Sequence, residues 1–375
     1  MTLMKDISPI KTAVAVVLAG AVSFAALHGA PPAAAQSGEG RPAGKTWSVE
    51  KANKWYASQP WLVGADYIPR TAVNQLEMWQ AETFDPETID RELGWAQGIG
   101  FNTVRVYLHS LAWKQDPKGF KDRMDRFLSI AQAHGIRTIF VFFDDCWNKV
   151  PKAGKQPEPK PGIHNSGWVQ DPGDPMHKDA SLYPELERYV KDVMTRFQKD
   201  PRILLWDLYN EPGNSGKKES SLPLLAKVFE WARAVDPDQP LSAGLWAWDF
   251  ETLNAFQAMN SDVITYHDYE EAPWHQRVIE MLKASGRPLI CTEYMARTRN
   301  SRFSTILPLL KRKNVGAINW GFVAGKSNTI YAWDTPLEDG SEPAEWFHDI
   351  FRQDGSPYRR DEVELIKKLA GTPNK

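Results

Sequence analysis

A single (β/α)8 TIM barrel is the fold this sequence predicts, on three observations. Short β-rich runs alternate with amphipathic helical patterns eight times, and eight is the number of parallel strands that closes such a barrel. The chain has 375 residues, enough for one large barrel domain. No Gly-rich phosphate turn follows an early strand, as a doubly wound open sheet, the competing architecture, should carry. Gly321 and Gly325 come near a phosphate loop, but only three residues separate them and no helix start follows.

The strands are expected at 62–68, 103–108, 138–144, 203–210, 241–246, 263–269, 289–294 and 317–322, each a run of β-branched, aromatic or aliphatic residues. Between the first two, Asp85 reads as an N-cap with Pro86 at the first helical position, and Ile89, Leu93 and Ala96 make one face. Phe120, Met124, Phe127, Leu128 and Ala131 repeat at helical spacing before His134 and Gly135 end that helix. The stretches 183–199, 222–235, 274–285 and 303–313 are amphipathic in the same way. Strand-helix alternation implies right-handed crossovers and a functional site at the C-terminal ends of the strands. One connection is anomalous. After strand three, residues 146–182 form a long segment dense in Pro, Gly and Lys, with Trp147, His164 and Trp168 inside it. Connections this long in compact domains are usually functional or disordered, and this one lies on the functional face.

The first residues read as a leader. Lys5 and Lys11 precede an apolar run at 13–27, ended by His28 and Pro31, and Ala33, Ala34 and Ala35 offer a small-residue cleavage site. A signal peptide at 1–35 is expected, then a solvated N-terminus at 36–45 and the catalytic barrel at 46–375. The run is shorter than the ~20 residues a spanning helix needs, so no stable membrane association is expected after cleavage. The destination would be the periplasm or the exterior. A net charge of −2 gives no basic footprint for nucleic acid. The chain carries 16 tryptophans, whose flat faces suit pyranose rings as well as cores. Cys146 and Cys291 fall on opposite sides of the expected barrel and should both be free and buried. A monomer is the simpler expectation.

Chemistry concentrates in two glutamates. Glu211 ends strand four in Leu-Leu-Trp-Asp-Leu-Tyr-Asn-Glu-Pro, and Glu293 ends strand seven in Pro-Leu-Ile-Cys-Thr-Glu-Tyr. On a closed ring they face each other across the mouth. Two carboxylates in one cleft are what glycosidic bond hydrolysis needs, one protonating the leaving oxygen and the other attacking the anomeric carbon. The acid must be held protonated and the nucleophile ionised, so their surroundings should differ. The eight histidines are scattered, with no zinc-type spacing and no Gly-x-Ser-x-Gly elbow, so neither a metal nor another cofactor is expected.

Asn210, Glu211 and Pro212 resemble the strand-four Asn-Glu-Pro of the clan of glycoside hydrolases that includes the family 5 cellulases and mannanases. The resemblance implies Glu211 as general acid/base, Asn210 on the sugar 2-hydroxyl and Glu293 as nucleophile. It also implies Arg105 as the cation that keeps Glu293 ionised, although a barrel-floor ion pair with Asp207 is the alternative. His267 and Tyr269 match a His-x-Tyr in which the tyrosine bonds the nucleophile, and Trp320 matches the floor of the subsite that holds the cleaved sugar. Strand three departs from the pattern. Many relatives have a histidine there, whereas this chain reads Phe143-Asp144-Asp145-Cys146-Trp147. Asp144 or Asp145 is expected on substrate hydroxyls or on Arg105, with Trp147 also on substrate. Trp246, Trp248, Asp66 and Tyr67 are cleft candidates with a plain packing alternative.

The implied activity is retaining cleavage of β-linked, chiefly β-1,4-linked, sugars, and relatives of this kind are often labelled 1,4-β-xylanases. A non-catalytic carbohydrate-binding barrel and a β-glycan transglycosylase are the alternatives. The 146–182 loop is expected to close one side of the cleft and favour short oligosaccharides.

Overall fold

The computed structural model describes residues 45–371, so the expected signal peptide and most of the solvated N-terminus lie outside the described residues. Eight parallel strands run β1 (Val63–Asp66), β2 (Thr103–Tyr107), β3 (Arg137–Asp144), β4 (Ile203–Asn210), β5 (Leu241–Ser242), β6 (Ile264–His267), β7 (Leu289–Glu293) and β8 (Gly316–Asn319). Neighbours in sequence are neighbours in space, and β1 pairs with β8. Between β5 and β6 the ring closes chiefly through Leu245, whose amide donates to Thr265 and whose carbonyl accepts from His267, with the Asp262 amide donating to Leu241 O below it. The fold is a (β/α)8 barrel.

Strand five is the main departure from the 241–246 expectation. After Ser242 the Ala243 amide turns to the Ser261 hydroxyl instead of a neighbouring strand. Gly244 follows, where a Cβ would stand 3.4 Å from His267 Nε2. Elsewhere the sequence signals act as chemistry requires. The Asp85 side chain accepts from the Thr88 amide and caps the helix Pro86–Gly98, which buries Ile89, Leu93 and Ala96 completely. The helix Pro117–Ala133 stops at His134, with Gly135 at φ +69°.

Two apolar layers hold the barrel. Inside, Leu62, Ile139, Leu205, Val263, Ile290 and Ile318 fill the lower bore. Outside, Phe140 and Phe142 stack on Trp206 at centroid distances of 5.9 and 5.4 Å, joining strands to helices. Both cysteines are free and buried.

Two long connections stand on the C-terminal face. Residues 146–182 carry only a short helix, Asp174–Lys178, and a single 3-10 turn, Ala180–Leu182. The irregular segment 320–359 follows β8, and nothing in the sequence patterning signals it. The two are laced together. Asn165 N donates to Ser327 O, Leu337 N to Gly162 O, the Asn328 side chain to Lys160 O and Ile163 O, and His164 Nδ1 lies 2.8 Å from Tyr331 O. Gly162 has φ +68°, and a Cβ there would stand 1.6 Å from the Leu337 carbonyl oxygen, so only glycine permits this approach. The lacing makes a wall along one side of the barrel mouth.

Candidate active site

Parallel strands end together at the barrel mouth, and their last residues build the site. Glu293 closes β7, and Glu211 stands one residue past β4. An oxygen of Glu211, a ring nitrogen of His267 and an oxygen of Glu293 all lie within 4.8 Å of one another. Among the described residues this trio is also the group close enough to share an ion. Pro212 disfavours right-handed helical backbone at Glu211, which adopts φ +44°. Left-handed backbone at a non-glycine residue costs on the order of 1–3 kcal/mol and is typical of places where function fixes a side chain.

The two carboxyls have unlike surroundings. Glu293 Oε1 accepts from Arg105 Nη1 at 3.0 Å and from the Tyr107 hydroxyl at 2.9 Å, and Oε2 accepts from the Tyr269 hydroxyl at 2.7 Å. Glu211 meets no cation directly. Its Oε1 lies 2.9 Å from His267 Nδ1, while Oε2 accepts from the Asn214 amide and from Cys146 Sγ at 3.2 Å. Burial pushes both carboxyls up from the ordinary glutamate range. At Glu293 the charge of Glu211 adds to that rise, while His267, Arg105 and the Tyr269 hydroxyl oppose it. Two such neighbours release their protons in separate steps. The guanidinium and two hydroxyls on Glu293 make it the one that ionises first and leave the shared proton on Glu211. Burial also pulls His267 down to about 4, so its ring is neutral near pH 7.

Arg105 is completely buried and organises the floor. Besides Glu293 it reaches Asp66 at 2.7 Å, Asp207 at 2.8 Å and Asn210 Oδ1 at 2.7 Å. It therefore makes both contacts that the sequence left as alternatives, the one to Glu293 and the floor pair with Asp207. Burial pushes Asp66 and Asp207 above the ordinary aspartate range, and the Arg105 guanidinium opposes that rise at both. Asn210, held through Oδ1, donates from Nδ2 to Asp144 at 3.0 Å and lines the cavity.

The cavity above measures about 930 Å³, within the upper range of ligand clefts. The tryptophan candidates Trp147, Trp246, Trp248 and Trp320 all line it, together with Trp168, Trp274 and Trp333. Trp320 lines the cavity edge-on to Tyr107 at 5.7 Å and Trp168 at 5.4 Å. Trp246 is fixed by donating Nε1 to Pro212 O, and Trp147 stands on the rim, 38% exposed, at φ +70°.

Two expectations need correction. Asp144 and Asp145 touch neither the cavity nor Arg105. Asp144 accepts from Trp168 Nε1 at 2.6 Å, from Asn210 and from the Cys146 amide. Asp145 accepts from Tyr209, Lys217, Ser221 and the Gly213 amide. Their oxygens are already occupied by protein donors, so these carboxylates hold the catalytic loops instead of meeting a sugar. Tyr67 likewise points away and donates to Glu92 at 2.9 Å; Asp66 belongs to the floor.

Sequence reasoning missed Tyr107, Asn214, Trp333 and Arg299. Tyr107 had a signal, since it lies two residues after Arg105 on one strand and so on the same face. Trp333 comes from the irregular segment after β8 and Arg299 from a single 3-10 turn after β7, and neither had one.

Strands, bore and paired carboxylates define the class, a (β/α)8 barrel with a glycosidase-type mouth. The cellulase family, glycosyl hydrolase family 5, matches residues 74–325, and the chain belongs to it. Among curated proteins it is 24% identical over 185 residues to mannan endo-1,4-β-mannosidase F of Aspergillus clavatus, covering 48% of this chain and 37% of that one. It is 26% identical over 129 residues to a probable mannan endo-1,4-β-mannosidase A-2 of Aspergillus terreus, covering 34% of this chain and 30% of that one. The matches thus span about a third of these relatives. Among solved structures, the endo-β-1,4-mannanase of Thermotoga petrophila aligns with TM-score 0.56 and 16% identity over 84% of this chain and 77% of its own. An exo-β-1,4-mannosidase of Opitutaceae bacterium strain TAV5 aligns with TM-score 0.57 and 17% identity, over 82% and 59%. At such identities these two likenesses speak to the fold. The relatives carry mannanase names, and the xylanase resemblance finds no counterpart among them.

Proposed function

We propose that the protein is a retaining β-glycoside hydrolase acting on β-1,4-linked sugars, mannose-containing oligosaccharides first among them. The observation that carries this reading is the close approach of Glu211 and Glu293 with opposite donor sets. Glu293, ionised beside Arg105, attacks the anomeric carbon while Glu211 gives its proton to the departing oxygen. Glu211, now a carboxylate, takes a proton from water, which releases the sugar from Glu293 with net retention. Retaining enzymes hold their carboxyls about 5 to 5.5 Å apart, and here an oxygen of Glu211 and one of Glu293 lie within 4.8 Å of each other, which supports retention.

Family membership supports the reaction class, and the names of the relatives support the sugar. The wall formed by 146–182 and 320–359 supports action on short chains or chain ends. The charged-then-apolar pattern of residues 1–35 supports a cleaved leader and export before activity.

The test compares the mature protein with Glu293→Ala on mannan, manno-oligosaccharides, xylan, glucans and aryl β-glycosides. Wild type is expected to release sugar from the manno-oligosaccharides with the β-anomer appearing first by NMR. The variant should lose this by about 10⁴-fold or more. Release confined to xylan or glucan would overturn the sugar, and equal rates in both proteins would overturn the mechanism.

A further inference from the structure

Cys146 has no place in the chemistry above, yet its sulfur touches the acid. It stands two residues past β3, where its backbone amide is tied to Asp144 Oδ1 at 2.9 Å and its neighbour Trp147 takes a left-handed backbone. Sγ lies 3.2 Å from Glu211 Oε2, 3.4 Å from Asn214 Nδ2 and 3.5 Å from Asn210 Nδ2. The two amides bring hydrogens and no acceptor, so the sulfur accepts from them and its one proton is left for a carboxyl, Glu211 at 3.2 Å or the Asp144 side chain that also faces the thiol. Asn210 also belongs to the Arg105 floor beneath Glu293, so the sulfur joins the two halves of the site. Burial pushes the Cys146 thiol up, which keeps it an S–H donor throughout the working range.

We propose that Cys146 is a positioning residue, its S–H hydrogen-bonded to Glu211 so that the thiol governs how readily this carboxyl gives up and takes back its proton. The proposal rests on the reading of Glu211 as acid/base. The other groups facing Glu211 are His267 from β6, Tyr269 and Glu293 from the β6 and β7 ends, Arg105 from β2, Asp145 after β3 and Asn214 on its own loop, and Asp144 faces the thiol itself. Removing the thiol leaves all of these in place.

A donor to the ionised form holds a carboxyl's pKa down, so its loss should raise that of Glu211. A hydrogen bond to a charged group corresponds to roughly one to two pH units, and a thiol, a weak donor, to about one. The experiment titrates ¹³C-labelled glutamate carboxyls by NMR in wild type, Cys146→Ala and Cys146→Ser, the Glu211 signal being assigned by its loss in Glu211→Gln. The basic limb of kcat/KM, which reports the acid, is measured beside it. Glu211 should titrate about one unit higher in Cys146→Ala and near wild type in Cys146→Ser, whose hydroxyl can still donate. Unchanged titration in Cys146→Ala overturns the proposal, whatever the activity. Shifted titration with an unmoved basic limb, or with no hydrolysis by any protein, upholds the thiol contact and overturns Glu211 as the acid. An effect equal in alanine and serine variants also overturns the proposal, since packing alone would then explain it.

Discussion

Tyr269→Phe isolates the electrostatics of the nucleophile with little disturbance of packing. The ring stays, with its edge contacts to Trp333 at 4.8 Å and its tilted contact with His348 at 5.6 Å. Only the hydroxyl goes, and with it the 2.7 Å bond to Glu293 Oε2. Burial pushes the Tyr269 hydroxyl well above its usual range, helped by the charge of Glu293, so it is a neutral donor at every pH of interest. Oε1 keeps Arg105 and Tyr107, while Oε2 is left with His267 Nδ1 at 3.4 Å. A hydrogen bond to a charged group contributes about 1.5–3 kcal/mol, or roughly one to two pH units. The donor favours the ionised carboxylate, so removing it raises the pKa of Glu293. The acidic limb of kcat/KM, which reports a nucleophile that must be ionised, therefore moves to higher pH by that amount. Below both limbs the rate falls roughly tenfold to a hundredfold. On the plateau the loss is smaller, because the carboxylate gives up its charge as the new bond forms. The assay is a kcat/KM profile on an aryl β-glycoside, with thermal unfolding to confirm an intact fold. Coincident acidic limbs would refute the assignment of Glu293 as an ionised nucleophile held by Tyr269.

Two further outcomes are expected. Gly162→Ala should break the lacing of 146–182 to 320–359, because its Cβ meets the Leu337 carbonyl; limited proteolysis should cut 146–182 faster, and preference should move toward longer chains, whereas an unchanged digest would show that the wall does not depend on this contact. Glu92 is fully buried, and burial raises it to about 7 from an ordinary 4.5. The folded chain then binds this proton more tightly than the unfolded chain, so stability falls as pH rises from about 4.5 to about 7, by about 3 kcal/mol, and levels off above. Glu92→Gln should flatten that part of the urea-denaturation profile, and an unaltered slope would show that Glu92 ionises freely in the fold.

The barrel was legible because its signals are local. Each strand is a short apolar run, each major helix has a cap or a periodic face, and eight alternations admit few closures. Glu211 and Glu293 were legible for a related reason, since parallel strands carry their ends to one place whatever lies between them, while Arg105, His267 and Tyr269 were picked out by resemblance to the family's motifs. Only strand five resisted, its length being set by a serine hydroxyl 18 positions from Ala243 rather than by its own residues. What escaped depends on partners remote in sequence. Asp144 and Asp145 look like ligands on a strand end until Trp168, 24 positions on, and Lys217, 72 positions on, fill their oxygens. Each is thereby turned from a possible sugar contact into a fastener, Asp144 for Asn210 and the Cys146 turn, Asp145 for the loop that carries Asn214. The departure from the family pattern at β3 thus acts on the acid indirectly. With Asp144 tied to the Cys146 amide and Asp145 to the loop after Glu211, the end of β3 brings the Cys146 sulfur to 3.2 Å from Glu211 Oε2, the contact on which the proposed positioning role turns.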